Sequence, residues 1–291
     1  MNQSGETGIK YLIIHGDDVG VSHGVNRASL RLLQAGHISS VSMMAPCPWV
    51  FEAATVLKDC KHCDIGVHIT LNSEFSSYRW PPTAPYSSVP GLVDELGTLH
   101  RSLSDTMKYA GLSDVRKETE AQIAKIRKLG LAISHIDIHM GTVAMKAEWL
   151  KIYVDIAERN KVLPMLVRWS DELEAYFKLR NMPYDEVKDF LKEKERSGYF
   201  MLDRLITDVG GLDSYEDRRD AYVRAIRSLK PGLTQIITHL SDPGEELSAM
   251  IGNKMREVRR TWDTKILSDP GFIALLREEK ISLTSWSQLN L

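Results

Sequence analysis

The chain has 291 residues, 43% of them hydrophobic, and its 37 Lys+Arg against 39 Asp+Glu leave a formal charge of −2. That length suits one barrel-type domain, and near-neutral charge without a basic run argues against nucleic acid or an anionic membrane as partner. No apolar run approaches bilayer length, and the opening MNQSGETGIK has no apolar leader core, so a cytoplasmic protein acting on a neutral or mildly polar small molecule is expected.

Taken in order, strand-like apolar runs alternate with amphipathic helix-like runs. Tyr11 to Gly16 reads as a first strand, followed by Asp17-Asp18. Ser22 caps a helix to about Ala35, which Gly36 stops. Ser39 to Ala45 reads as a strand, Val50 to Leu57 as a helix, and Ile65 to Leu71 as a strand containing His68. Residues 76–112 carry Pro81, Pro82, Pro85 and Pro90 and read as a long irregular insertion, a lid or substrate wall. Ser113 opens a helix to Leu129, stopped by Gly130, and the run His135-Ile136-Asp137-Ile138-His139 follows. Lys146 to Asn160 reads as a helix, Pro164 to Trp169 as a strand, Asp171 to Lys194 as two helices, and Leu202 to Val209 as a strand. Ser214 to Leu229 reads as a helix, Thr234 to Leu240 as a strand carrying His239, and a last helix near Glu279 precedes a strand from Ile281 to Trp286. Seven or eight strands separated by helices, without repeats or a linker, predict a parallel α/β fold in one domain spanning residues 1–291, with a barrel as first choice.

In His135–His139 alternate side chains share a face, so His135, Asp137 and His139 line one wall and the isoleucines the other. Those polar groups either satisfy one another as a core network or face a site. Five of nine histidines, His15, His68, His135, His139 and His239, fall in or at the ends of predicted strands, where histidine is not a favoured residue. In a barrel the strand ends gather at one rim, which brings together Asp17, Asp18, His68, His139 and His239. Asp18, His68 and His139 make a sufficient ligand set for one divalent cation with open positions. Asp17, whose side chain diverges from that of Asp18 in a regular strand, is left as general base. The mixed donors do not choose the metal. Trp49, Tyr78, Arg79 and Trp80 follow the second and third strands and are expected at the substrate wall, aromatic faces suiting a pyranose ring and arginine its polar groups. Cys47, Cys60 and Cys63 form no even disulfide set, and without a second C-x-x-C pair Cys60 and Cys63 are read as surface thiols.

His15-Gly-Asp-Asp-Val-Gly-Val-Ser-His-Gly-Val-Asn26, Gly66-Val-His-Ile-Thr-Leu71 and His135-Ile-Asp-Ile-His139, in this order and spacing, resemble the three motifs of the YdjC/ChbG family of carbohydrate deacetylases. The resemblance continues through Thr238-His-Leu240 and covers nearly the whole chain. It implies a distorted TIM-like barrel that hydrolyses acetamido groups of sugars with one divalent metal, Mg2+ or Zn2+. Its metal ligands fall on Asp18, His68 and His139, its preceding aspartate on Asp17, and a late histidine that protonates the leaving amine on His239. Better-known members begin the first motif Asn-Ala-Asp-Asp-Phe-Gly, where this chain has His15, Gly16 and Val19. A small acetylated carbohydrate is the implied substrate, and a homodimer is the default assembly. Two other readings keep the same residues: a non-catalytic carbohydrate-binding protein on this fold, and a non-haem iron enzyme using the two histidines and one carboxylate.

Overall fold

The computed structural model describes residues 8–289; most of the opening segment read above for a leader lies outside them. Eight strands form one sheet: β1 (Lys10–Val19), β2 (Ser40–Met43), β3 (Ile65–Ile69), β4 (His135–Ile138), β5 (Leu163–Pro164), β6 (Arg204–Ile206), β7 (Gly232–Thr238) and β8 (Ile281–Leu283). All their pairings are parallel, in the order β5-β4-β3-β2-β1-β7-β6, with β8 also on β1. β7 follows β1 from Lys10 to Gly16, while β8 takes the first half of its other edge and β2 the second. A parallel bridge between Val167 and Leu202 joins the chain beyond β5 to the chain before β6, curling the sheet into a distorted barrel. No helix among the described residues is long and apolar enough to cross a membrane.

Helices α1 (His23–Gln34), α2 (Val50–Leu57), α4 (Leu112–Lys128), α5 (Ala147–Asn160) and α8 (Tyr215–Arg227) fall where the periodicity predicts them. Ser22 accepts the Val25 N–H as cap of α1, and Gly36 beyond it has a φ of +71°, the left-handed exit that glycine takes without strain. α6 (Asp171–Leu179) and α7 (Asp185–Arg196) are the two charged helices. Three predictions are corrected. The single last helix is three: α9 (Glu245–Ile251), α10 (Lys254–Leu267) and α11 (Pro270–Glu278). They are separated where Asn253 caps α10 and where Asp269, with Pro270 at the first helical position, caps α11. The fifth strand is shorter than expected: after Met165, whose N–H still bonds Ile136 O at 2.9 Å, the chain leaves β4 and next bridges Leu202 through Val167. Cys60 and Cys63 are joined as a disulfide, leaving Cys47 as the free and buried thiol.

Residues 76–112 are a packed wall rather than an open loop. They contain α3 (Leu103–Tyr109), two short 3-10 turns and an antiparallel bridge, Val93 to Leu99, and they bury Trp80, Val89, Leu92 and Leu99. Buried Glu118 of α4 accepts the N–H groups of Thr83 and Ala84, both at 2.8 Å, and thereby fastens this wall to the barrel.

Strand alternation sends Leu12, Ile14, Ile136 and Ile138 toward the helices and the intervening residues into the barrel. The inside is layered. Ile13, Leu163, Leu202, Leu233 and Trp286 plug it with apolar side chains. Above them lie His15, in register with Ser40, and His135, in register with Gly66, and above these His68 stands beside Asp137. The apolar plug lies below the polar layers, and the partly exposed His239 lies above them, just past the C-terminal end of β7.

Candidate metal centre and active site

Three side chains converge at that rim. Asp18 Oδ1 lies 3.5 Å from His68 Nε2 and 3.4 Å from His139 Nδ1, and the two ring nitrogens are 3.2 Å apart. All three residues are buried. Separations of this size are what three ligands about 2.1 Å from one cation have.

The second polar atom of each residue is already occupied. His68 Nδ1 donates to Asp137 Oδ1 at 2.9 Å, and Ser42 Oγ donates to Asp137 Oδ2 at 2.9 Å. His139 Nε2 donates to Glu74 Oε2 at 3.0 Å. Asp18 Oδ2 accepts from Arg260 Nη2 at 2.5 Å. With these bonds made, His68 Nε2, His139 Nδ1 and Asp18 Oδ1 turn their lone pairs toward one point, and Asp18 Oδ1 is buried without a hydrogen-bond partner. A carboxylate or guanidinium behind each ligand is the usual outer support of a metal site. The donor set fits a divalent cation.

The electrostatics agree. Burial would raise the Asp18 carboxyl, but Arg260, His139 and His68 hold it well below the usual carboxylate range. Burial would lower the His139 imidazole, yet Glu74 and Asp18 push it up to about 9. His68 is likewise raised against burial, chiefly by Asp137 and Asp17. In the metal-free protein, protons compete for the places a cation would take.

Asp17 lies beside the cluster. Its Oδ1 accepts from His15 Nδ1 at 2.8 Å, while Oδ2 lies 3.8 Å from His68 Nε2 and 3.9 Å from His239 Nε2. The argument that adjacent carboxylates must diverge is corrected here. Asp18 has a φ of +66°, and the pairing of β1 with β2 slips between Gly16 and Val19, so the strand is bulged and both carboxylates face the same histidine. His239, just past β7, is partly exposed at the rim, its basicity lowered by burial and by Arg260 against the pull of Asp18 and Asp17.

The row from His135 to His139 serves both purposes considered for it. His135 and Asp137 belong to the buried network, whereas His139, at the start of the 3-10 turn after β4, reaches the point on which His68 and Asp18 also converge. Trp49 is partly exposed beside His23, with ring centroids 5.3 Å apart. Tyr78 is half-buried and its hydroxyl donates to Val21 O at 2.6 Å. Trp80 is 1% exposed, packs 6.3 Å from the His139 ring and donates Nε1 to Asn72 O, so it backs the site and offers no face to a sugar. Arg79, expected at the substrate wall, turns its guanidinium into the loop, onto Asp94 Oδ2 at 2.8 Å, Leu99 O at 2.5 Å and Ser73 Oγ at 3.4 Å. Sequence reasoning missed Glu74 and Arg260. Glu74 follows the His68 strand within a few residues and was findable there, but Arg260 sits in a charged helix whose pattern carries no signal of an inward arginine.

Residues 11–278 match the family model described as YdjC-like protein. A carbohydrate deacetylase of Thermoanaerobacter pseudethanolicus is 27% identical over 97% of this chain and 100% of its own length. A carbohydrate deacetylase of Thermus thermophilus is 29% identical over 96% of this chain and 94% of its own length. A crystal structure of an Enterococcus faecalis protein named for cellobiose-phosphate cleavage superposes with a TM-score of 0.76 at 23% identity, covering 97% of this chain and 100% of that one, which shows a shared fold.

Proposed function

The chain belongs to the YdjC-like protein family, and from that premise we propose that it is a metal-dependent carbohydrate deacetylase that hydrolyses the acetamido group of an N-acetylated sugar or small oligosaccharide. The observation that carries this reading is the convergence of Asp18 Oδ1, His68 Nε2 and His139 Nδ1 on one point, with Asp17 and His239 beside it.

Asp18, His68 and His139 would hold the cation; Mg2+ and Zn2+ are the proposed occupants. When bound, such an ion polarises a carbonyl oxygen and makes water more acidic. Asp17 Oδ2, left free by the His15 bond to Oδ1, takes the proton of the water that attacks the acetyl carbon. His239, partly exposed and able to exchange protons with solvent, gives one to the amine nitrogen as the C–N bond breaks, leaving acetate and an amino sugar. Glu74, Asp137 and Arg260 hold the ligands in place. Trp49 and Tyr78, both partly exposed, are the residues proposed to meet the sugar, whereas the contacts of Arg79 and Trp80 support a role in shaping the wall.

The test is acetate release from a panel of N-acetylated mono- and oligosaccharides, using protein stripped with chelator and resupplied with single divalent metals. Release that disappears on stripping and returns with one ion is expected. Saccharide binding without acetate release under every metal would replace this reading with that of a binding protein.

A further inference from the structure

Two fully buried histidines lie beneath the site, His15 bonded to Asp17 and His135 bonded in turn to His15. We infer that His15 is the positioning residue of the proposed base Asp17, and that it acts as the middle of a hydrogen-bonded chain anchored at the far end of the barrel. The inference rests on the deacetylase reading.

The chain has a direction. In its proposed role as base Asp17 accepts, with His15 Nδ1 as the donor to its Oδ1 across 2.8 Å. That bond fixes which face of the His15 ring points down, and there Nε2 meets His135 Nε2 at 2.9 Å. His135 Nδ1 in turn lies 2.8 Å from Ser134 Oγ and 3.9 Å from Asp64 Oδ2. Asp64 is buried and takes the N–H groups of Trp286 and Ser287 at 3.1 and 2.9 Å, which ties the lower end to the C-terminal segment.

Packing locks the rings. Trp286 stacks on His135 with centroids 5.1 Å apart and planes 14° apart, and its Nε1 donates to Gln235 Oε1 at 2.9 Å. On the other side the neighbour is Gly66, where an added Cβ would come within 2.4 Å of His135 Nε2. Gly66 is the second strand motif's first residue, and only glycine leaves room for the ring at this register.

A stabilising role alone does not account for this arrangement. Burying two imidazoles costs desolvation, and an apolar pair of the same shape would serve the core at least as well. What the pair adds is a donor held rigidly under Asp17, with Oδ2 left toward the rim.

The experiment compares His15→Leu, His15→Asn and His135→Phe with the wild type for metal stoichiometry, kcat and KM. Leucine removes the donor at similar volume, whereas asparagine keeps an N–H within reach of Asp17. All three variants should bind a full equivalent of metal. His15→Leu is expected to lower kcat about 10–100-fold with KM unchanged, and His15→Asn to recover most of the loss. His135→Phe, which keeps the stack on Trp286, should fall between. Equal kcat in His15→Leu and His15→Asn, or a loss confined to KM, would overturn the inference. A readout independent of turnover is the slowly exchanging downfield imidazole N–H proton expected in the wild-type NMR spectrum. It should be absent in His15→Leu and shifted in Asp17→Asn; its absence from the wild type overturns the chain itself. A wild type with that proton but no acetate release overturns the deacetylase reading instead, so the two failures are distinguishable.

Discussion

Asp137 Oδ1 receives the Nδ1–H of His68 at 2.9 Å, and this one bond decides that Nε2, the other nitrogen, faces Asp18 and His139. Asp137 is held low, to about 2, because His68, and behind it His15 and His135, outweigh the effect of burial. A charged, buried carboxylate behind a ligand imidazole both orients the ring and strengthens it as a donor. Asp137→Asn should therefore weaken metal binding about 10-fold or more while the fold survives, as read by competition with a chromophoric chelator. Wild-type affinity in the variant would show that Ser42 and packing suffice to orient His68.

Asp17 and His139 should separate by phenotype. Asp17→Asn is expected to keep its metal and lose kcat by about 100-fold or more, whereas His139→Ala should lose both metal and activity. Loss of metal from Asp17→Asn would instead make Asp17 a ligand, a role the bulge at Asp18 leaves geometrically open.

Metal uptake should depend on pH in a defined direction. His139 is raised to about 9 and His68 is raised well above its ordinary value, so an entering cation must displace protons from both rings. Affinity is expected to increase as pH rises from 6 toward 9, measured as Kd by calorimetry in buffers of different ionisation enthalpy. A flat profile would mean that neither ring is protonated in the metal-free protein.

Glu118 gives a stability prediction away from the site. Burial pushes its carboxyl up to about 7, against the opposing bonds from Ala84, Thr83 and Gln122. The folded state then holds a proton that the unfolded chain has lost, so stability present below pH 4.5 declines as pH rises through 7. This contribution is on the order of 1–3 kcal/mol. Glu118→Gln should be less stable at low pH through mismatched bonds to Thr83 and Ala84, yet show a shallower decline between pH 5 and 8. Parallel profiles of denaturation midpoint for the two proteins would remove the assignment.

Arg79 should behave as a structural residue of the wall. Its pair with Asp94 is only partly exposed, at 16% and 23%, and is supported by the Leu99 carbonyl. Arg79→Ala is expected to lower stability by about 1–2 kcal/mol, and a double-mutant cycle with Asp94→Ala should recover most of that as coupling. Unchanged stability with reduced kcat/KM would return Arg79 to the substrate.

Much of this architecture could be read along the chain because the signals are local. The caps at Ser22 and Gly36, the apolar runs of β1 and β3 and the periodicity of α5 each depend on neighbours a few residues away. The three C-terminal helices read as one along the chain because the breaks before α10 and α11 rest on single capping residues, Asn253 and Asp269. The Cys60–Cys63 bond was missed because spacing alone does not distinguish a disulfide from two thiols.

The sequence by itself determined which residue types the rim would carry and, through alternation along the strands, that Asp18, His68 and His139 would be gathered at strand ends. Only the tertiary structure decided which atoms face one another. The bulge that turns Asp17 and Asp18 to the same side, the reach of Arg260 across 242 residues to Asp18, and the stack of Trp286 on His135 all depend on where distant segments pack. Side-chain direction at such contacts is set by the packing of several elements at once, and no local pattern in the chain encodes it.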